Sequence, residues 1–229
     1  MENPASEKLQ IAIPISSVNW HELSRKLIAD QSSLSASEKN SPPTILFESC
    51  KGQSTVAAGW KVSNSILFDG DLGDYCLSHF RGEYVEVRGN IGHCGIQAIQ
   101  AGNAIVRGHA GDCLAAYGTG GMSAVYGNAG RRTAVGLDGA DVLVRGSVGS
   151  QAAYEMHSGS LIIGGNAGPE MGKGMTGGVI YLRGEHSSVA SHLQEVRMRE
   201  TDRMRIGMIL LKAGIKSTGR DFKLFRPDQ

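Results

Sequence analysis

The stretch VEVRGNIGHCGIQAIQAGNAIVRGHAGDCLAAYGTGGMSAVYGNAG, residues 85–130, decides how this chain folds. One phrase occurs in it three times: alternating small and apolar residues, a variable residue, Gly, a turn-forming residue, one more residue, and Gly again. Extended outward, the first Gly stands at Gly70, Gly89, Gly108, Gly127, Gly146, Gly165 and Gly184, each 19 residues from the next, with no insertion or deletion across seven copies. A second Gly follows three residues later at Gly73, Gly92, Gly111, Gly130, Gly149 and Gly168, and Ser187 takes that place in the seventh copy.

Two residues before the first Gly stand Phe68, Val87, Val106, Val125, Val144, Ile163 and Leu182. Four before it stand Ile66, Val85, Ala104, Ser123, Val142, Leu161 and Ile180. Period-two alternation rich in β-branched residues predicts a strand with one face buried. After the Gly come Asp71, Asn90, His109, Asn128, Ser147, Asn166 and Glu185, mostly residue types that tolerate turns. A 19-residue unit cannot bury its own apolar face, but stacked units can. The fixed spacing therefore predicts an all-β solenoid, a parallel β-helix of about seven coils. At the ordinary strand spacing it forms a rod about 30 Å long. The repeated glycines are read as corner residues, placed where a side chain would clash or φ must be positive.

Three regions are expected: an N-terminal helix and linker over 1–43, the β-helix over 44–190, and a capping helix and tail over 191–229. Leu9 to Ile15 is a candidate edge strand, limited by Pro14. Asn19 and Glu22 make a capping box for a helix that presents Trp20, Leu23 and Leu27 on one side. Gln31 to Pro43 reads as a linker, and Thr44–Phe47 and Val56–Ala58 as short strands. In the tail, Thr201 or Asp202 caps a helix whose apolar face is Ile206, Ile209, Leu210 and Ala213, and Gly214 ends it. This helix is expected to cover an open end of the solenoid, with Ile215, Phe222, Leu224 and Phe225 as further anchors.

Glycine makes up 32 of the 229 residues, about twice the usual share of roughly 7%. The formal charge of +1 gives no support to a nucleic-acid or membrane-surface role. Met1–Gln10 lacks an apolar signal region, and no long apolar run is present, so a cytoplasmic protein with reduced Cys50, Cys76, Cys94 and Cys113 is expected.

The glycine-rich stretch invites a phosphate reading, but Gly168–Lys173 departs from P-loop spacing. Gly172, Gly174 and Gly177 lead into a strand rather than a helix. Cys94 and Cys113 stack in adjacent coils, with Cys76 offset by one position. A small packed ladder is expected there rather than a disulfide or a zinc site. Asp74, His93 and Asp112 align and read as a ladder of charges on a turn, with an acid–base or metal cluster as the alternative. His157, His186 and His192 have no partner that the sequence names. No catalytic, cofactor-binding or metal-ligating residue is assigned. The residue before the first Gly forms a column, Arg88, Arg107, Arg145 and Arg183, broken by Tyr126 and Gly164. This column is a candidate docking stripe whose charge reversal is expected to leave folding intact. Arg197, Arg199, Arg203 and Arg205, interleaved with Glu195, Glu200 and Asp202, read as salt-bridged helix residues.

The phrases GDLGDYC (70–76), RGNIGHCG (88–95), RGHAGDC (107–113), YGNAGRR (126–132) and GGNAGPEMGKGMTGGVIYLRG (164–184) resemble the GXGXG domain family. That domain forms the C-terminal part of the glutamate synthase large (alpha) subunit and also occurs in stand-alone form. A related repeat builds one of the polypeptides of formylmethanofuran dehydrogenase and of its formyltransferase/hydrolase counterpart. The resemblance covers roughly residues 50–187 and implies a right-handed β-helix without catalytic residues. It implies a non-catalytic scaffold subunit of a glutamate-synthase-like, amide-nitrogen-transferring oxidoreductase. Glutaminase-type and FMN-synthase-type subunits are the implied partners, and any FMN or iron–sulfur cluster would lie in them. A component of a one-carbon formyl-transfer complex, with a formyltransferase-type partner, is the alternative. A free-standing β-helix enzyme or binding protein is the third reading.

Overall fold

The computed structural model describes residues 10–17, 23 and 44–228. Nine strands follow in chain order: β1 (Gln10–Pro14), β2 (Thr44–Gln53), β3 (Lys61–Leu72), β4 (Arg81–Val87), β5 (Ala101–Val106), β6 (Met122–Val125), β7 (Asp138–Val144), β8 (Ser158–Ile163) and β9 (Val179–Leu182). Each is parallel to the next and hydrogen-bonded to it. The register carries Val85 onto Ala104, Ser123, Val142, Leu161 and Ile180, the 19-residue repeat of the sequence. The chain is a parallel β-helix of about seven turns. Single bridges continue the stack past the first corner, from Leu72 through Ile91, Ala110, Ala129, Val148 and Ala167 to His186. Thr44–Phe47 opens the longer strand β2, whereas Val56–Ala58 lies in a turn, with Ala57 at φ +56°.

All seven residues two before the first Gly, and all seven four before it, are buried inside the coil. The residues between them were expected on an exposed face, yet Leu67, Glu86, Ile105, Ala124, Leu143, Ile162 and Tyr181 are also buried. Five of them, from Ile105 to Tyr181, are covered by the helix α1 (Glu200–Lys212), which lies along the outside of the sheet. Its Ile206, Ile209, Leu210 and Ala213 pack with Ile105, Leu143, Ile162, Tyr181, Phe222 and Leu224 in a second core, separate from the one inside the solenoid. The apolar face is the expected one, but the helix covers a side of the rod rather than an end. Asp202 sits at the third helical position and accepts the Arg199 N–H at 2.8 Å. Gly214, at φ +72°, ends the helix: its N–H reaches Leu211 O and the Ile215 N–H reaches Leu210 O, the Schellman pattern.

The end that follows β9 is closed by the remaining tail. Strand β11 (Lys223–Pro227) pairs antiparallel with β9, and β10 (Leu193–Val196) pairs with β11. Phe225 and Leu193 seal the interior at this end, and the free edge passes to a four-residue strand that exposes Gln194 and Glu195. At the other end Phe47 stacks on Phe68 with ring centroids 5.0 Å apart, and Trp60 tilts against Phe47 at 6.0 Å. There β1 is the edge strand, with exposed Pro14, as its sequence predicts. The expected helix around residues 19–27 lies outside the described residues except for Leu23, which is half-buried against the main core.

The repeated glycines meet only one of their two expected reasons. Among those before the turn, Gly70 alone has positive φ. The others face the previous coil: a Cβ on Gly108 would stand 2.7 Å from the Gly89 carbonyl oxygen. Positive φ falls instead on non-glycine residues of the third side of the coil. Cys94, Ile96 and Ala98 have φ of 52°, 59° and 52°, and the pattern recurs at Cys113, Ala115 and Tyr117. Alternate N–H groups there reach opposite neighbours. Cys94 N–H donates to Asp112 O in the next coil, Ile96 N–H to Cys76 O in the previous one, and Ala98 N–H to Ala116 O in the next.

Val144→Asp places an unpaired charge in the closed interior and is expected to cost about 3 kcal/mol or more. Gly108→Ala forces two coils apart locally and is expected to cost about 1–3 kcal/mol. Urea unfolding of both variants checks this, and an unchanged midpoint in the first would mean that the wrong face has been placed inside.

Candidate interaction surface

Polar side chains along the solenoid form two ladders. In the first, the Asn90 N–H donates to Asp71 Oδ1 (2.7 Å), the His109 N–H to Asn90 Oδ1 (2.8 Å) and the Asn128 N–H to His109 Nδ1 (3.0 Å). The Ser147, Asn166 and Glu185 N–H groups continue it onto Asn128, Ser147 and Asn166, each at 2.9 Å. The second ladder contains the sequence's candidate cluster. The Asp74 N–H donates to Ser54 Oγ (3.0 Å), the His93 N–H to Asp74 Oδ1 (2.7 Å), the Asp112 N–H to His93 Nδ1 (3.0 Å) and the Arg131 N–H to Asp112 Oδ1 (2.7 Å). Asp74, His93 and Asp112 thus stand together as their spacing predicts. Each spends its inward-facing acceptor on the next coil's backbone, and an Nδ1 that accepts an N–H leaves the ring proton on Nε2. The Arg131 N–H, with the Arg131 guanidinium, holds the Asp112 carboxyl below the usual carboxylate range. Among the described residues no group of three or more His, Cys, Asp or Glu side chains could hold a metal ion.

Most other sequence candidates also find polar partners, while His186 Nδ1 is buried without one among the described residues. Lys173 pairs with Glu170, and the Gly172 N–H donates to Ala152 O in the previous coil. His157 Nδ1 meets Thr176 Oγ1 at 2.8 Å, His192 Nε2 meets Met175 O at 3.0 Å, and the His186 ring stands edge-on to Phe225. Cys50 and Cys76 are buried, and desolvation raises both thiols to about 11, which keeps them protonated at neutral pH. Cys94 and Cys113 are half-buried free thiols in adjacent coils.

The arginine column is exposed, as expected, but not idle. Arg107 binds Glu86 with two bonds, Nε to Oε1 at 3.1 Å and Nη2 to Oε2 at 2.9 Å. Its guanidinium also lies over the Tyr126 ring, 4.6 Å from the centroid, and Arg145 approaches the same ring at 5.9 Å. Tyr126, which breaks the column in the sequence, donates its hydroxyl to Ala213 O at the end of α1. Gly164, the other break, accepts Arg183 Nε at 2.8 Å, and a side chain there would collide with the Arg145 carbonyl. Tyr126 therefore fastens α1 to the sheet with Arg107 packed on its ring, so charge reversal at Arg107 is expected to cost stability rather than to leave folding intact. A carboxylate there would face buried Glu86, whose Oε2 also takes the Tyr84 hydroxyl at 2.5 Å. Arg88, at 4.0 Å from Asp69 with both side chains about half exposed, is the reversible position. In the tail cluster Arg203 pairs with Glu200 on the helix, but Arg205 reaches Asp141 on β7, and Asp202 is taken by Arg226 of β11.

The sequence reading missed Tyr84 and Glu86 and took Tyr126 only as a break in the column, although Glu86 was visible as the one charged residue in the row from Leu67 to Tyr181. No protein-family model matches this sequence, and no curated protein matches it.

Burial pushes the Glu86 carboxyl up, but its bonds from Arg107 and Tyr84 outweigh that and leave it below its ordinary value. A lowered carboxyl stabilises the fold above the unfolded value, about 4.3, and loses that contribution as pH falls through the folded one. The stability gap between wild type and Glu86→Gln should therefore narrow as pH is lowered from 6 to below 4. Denaturant midpoints across that range measure it, and a constant gap would remove the ion pair as its source. Tyr126→Phe is expected to cost about 1 kcal/mol and to speed amide exchange over residues 209–215 more than elsewhere.

Proposed function

We propose that this chain is a non-catalytic scaffold subunit of a glutamate-synthase-like oxidoreductase assembly. The observation that carries the reading is the fate of its polar residues. Asp74, His93 and Asp112, the best candidates for chemistry, point their acceptors at neighbouring coils and act as building material. The glycine-rich phrases likewise serve coil stacking, with N–H groups bonded from coil to coil, so no cofactor cradle is assigned to them. The GXGXG resemblance supplies the kind of assembly and the right-handed coil. In this reading FMN and any iron–sulfur cluster reside in partner subunits, and the glutaminase chemistry in another.

Affinity purification of the tagged full chain from its native cells tests the proposal. The expected result is stoichiometric recovery of an amidotransferase-like and a flavin-containing subunit, with flavin absorbance following the complex. Recovery of a formyltransferase-type subunit would move the chain to one-carbon transfer, and recovery of the chain alone would overturn the scaffold reading. Arg88→Glu is expected to leave the melting temperature unchanged and, if the column is a dock, to reduce the recovered partner.

A further inference from the structure

Helix α1 is apolar on two opposite sides. Ile206, Ile209, Leu210 and Ala213 face the sheet and are buried. Met204, Met208 and Leu211, at i, i+4 and i+7, lie on the other side and are 61, 57 and 75% exposed. At about 100° per residue these three fall within one narrow stripe, opposite the buried arc. Apolar residues on both sides mark a helix built to be covered on both sides, and this chain covers only one among its described residues.

Gly207 is a second, independent sign. It sits inside α1 at the border of the stripe, where only proline would be a poorer helix former. A Cβ there would meet no atom within 4 Å, and its φ is not positive. Of the described glycines it alone has neither a close neighbour nor a left-handed backbone. Nothing described in this chain requires its smallness, whereas the close approach of a second backbone would.

Charge selects the occupant. Residues 197–228 hold nine Lys and Arg against four Asp and Glu, a net of +5, so the rest of the chain carries −4 of the total +1. Arg197, Lys212, Lys216 and Arg220 are exposed and have no acidic partner among the described residues. Grooves flank the helix on both sides. One, of about 760 Å³, includes Met208 with the paired Arg205, Arg226 and Asp202, and the other, of about 490 Å³, includes Met204, the Arg203–Glu200 pair and unpaired Arg220. A second copy would set this basic face against itself across a two-fold axis.

We propose that the outer face of α1 docks a helix of another protein, apolar along one side and flanked by Asp and Glu, whose backbone crosses α1 at Gly207. This rests on the scaffold reading and names the chemistry of one partner surface. Its apolar seam covers Met204, Met208 and Leu211, and its acidic flanks lie along the two grooves, one of which holds the unpaired Arg220.

Two synthetic amphipathic peptides with the same leucine seam, one flanked by Glu and one by Lys, test it on the full chain. The Glu-flanked peptide is expected to bind, to weaken as salt rises, and to protect the amides of α1 from exchange. Gly207→Leu, which replaces a poor helix former with a good one, is expected to hold or raise the melting temperature while weakening binding at least tenfold. Met208→Asp should weaken it similarly. Equal binding of the Lys-flanked peptide, or unchanged binding by Gly207→Leu, overturns the proposal. So does a concentration-dependent dimer that Leu211→Glu abolishes, which would assign the face to a second copy. In native purification, partner subunits retained in full by Gly207→Leu would refute this docking face and leave the scaffold reading standing. Wild-type chain that binds the acidic peptide but recovers no subunits would refute only the scaffold reading.

Discussion

The structure depends on one register: from Tyr84 onward, the last residues of each strand bond to residues 19 positions further on in the next coil. Once that holds, any residue type at one height is repeated above and below itself, and its neighbours are fixed. Side-chain acceptors at the turns then meet the backbone N–H of the following coil, as Asn90 meets His109 and Asp112 meets Arg131. Donors that an open turn would leave to solvent are satisfied within the rod, which is why short polar residues follow the glycines.

The same register imposes strain and crowding. Left-handed backbone at a non-glycine residue costs on the order of 1 kcal/mol or more, yet it recurs along the third side of the coil. It is tolerated because alternating φ lets successive N–H groups reach coils above and below, so that side is bonded in both directions without being a strand. Crowding falls on the corner glycines, where neighbouring coils come too close for a side chain. A substitution at one height therefore disturbs the interface to two coils, as expected of a stack whose units contact only their neighbours.

Helix α1 gives the repeat a direction. A bare solenoid would expose its outer row, but Leu143, Ile162 and Tyr181 are roofed by the helix, and Tyr126, Arg107 and Glu86 fasten that roof. Within the arginine column, Arg107 is thus first an internal brace. Partner contact, if made on this side of the rod, meets a surface composed by the tail as much as by the repeat.

The inward rows, the strand register, the edge role of Pro14, the apolar face of α1 and its Gly214 terminus were legible in the sequence, because each depends on local period or local backbone preference. The assembly of Asp74, His93 and Asp112 was legible too, from their spacing; their use as acceptors for backbone N–H groups was not, since it depends on the distance between coils. Likewise the sequence could not say that positive φ would fall on Cys94 and Cys113 rather than on the glycines beside them. Repetition alone, then, determined a stacked β-helix with its interior. Only the tertiary structure decided where α1 lies, which outward residues it buries and which of its sides stays open, because those depend on how a non-repeating tail folds back over many coils at once.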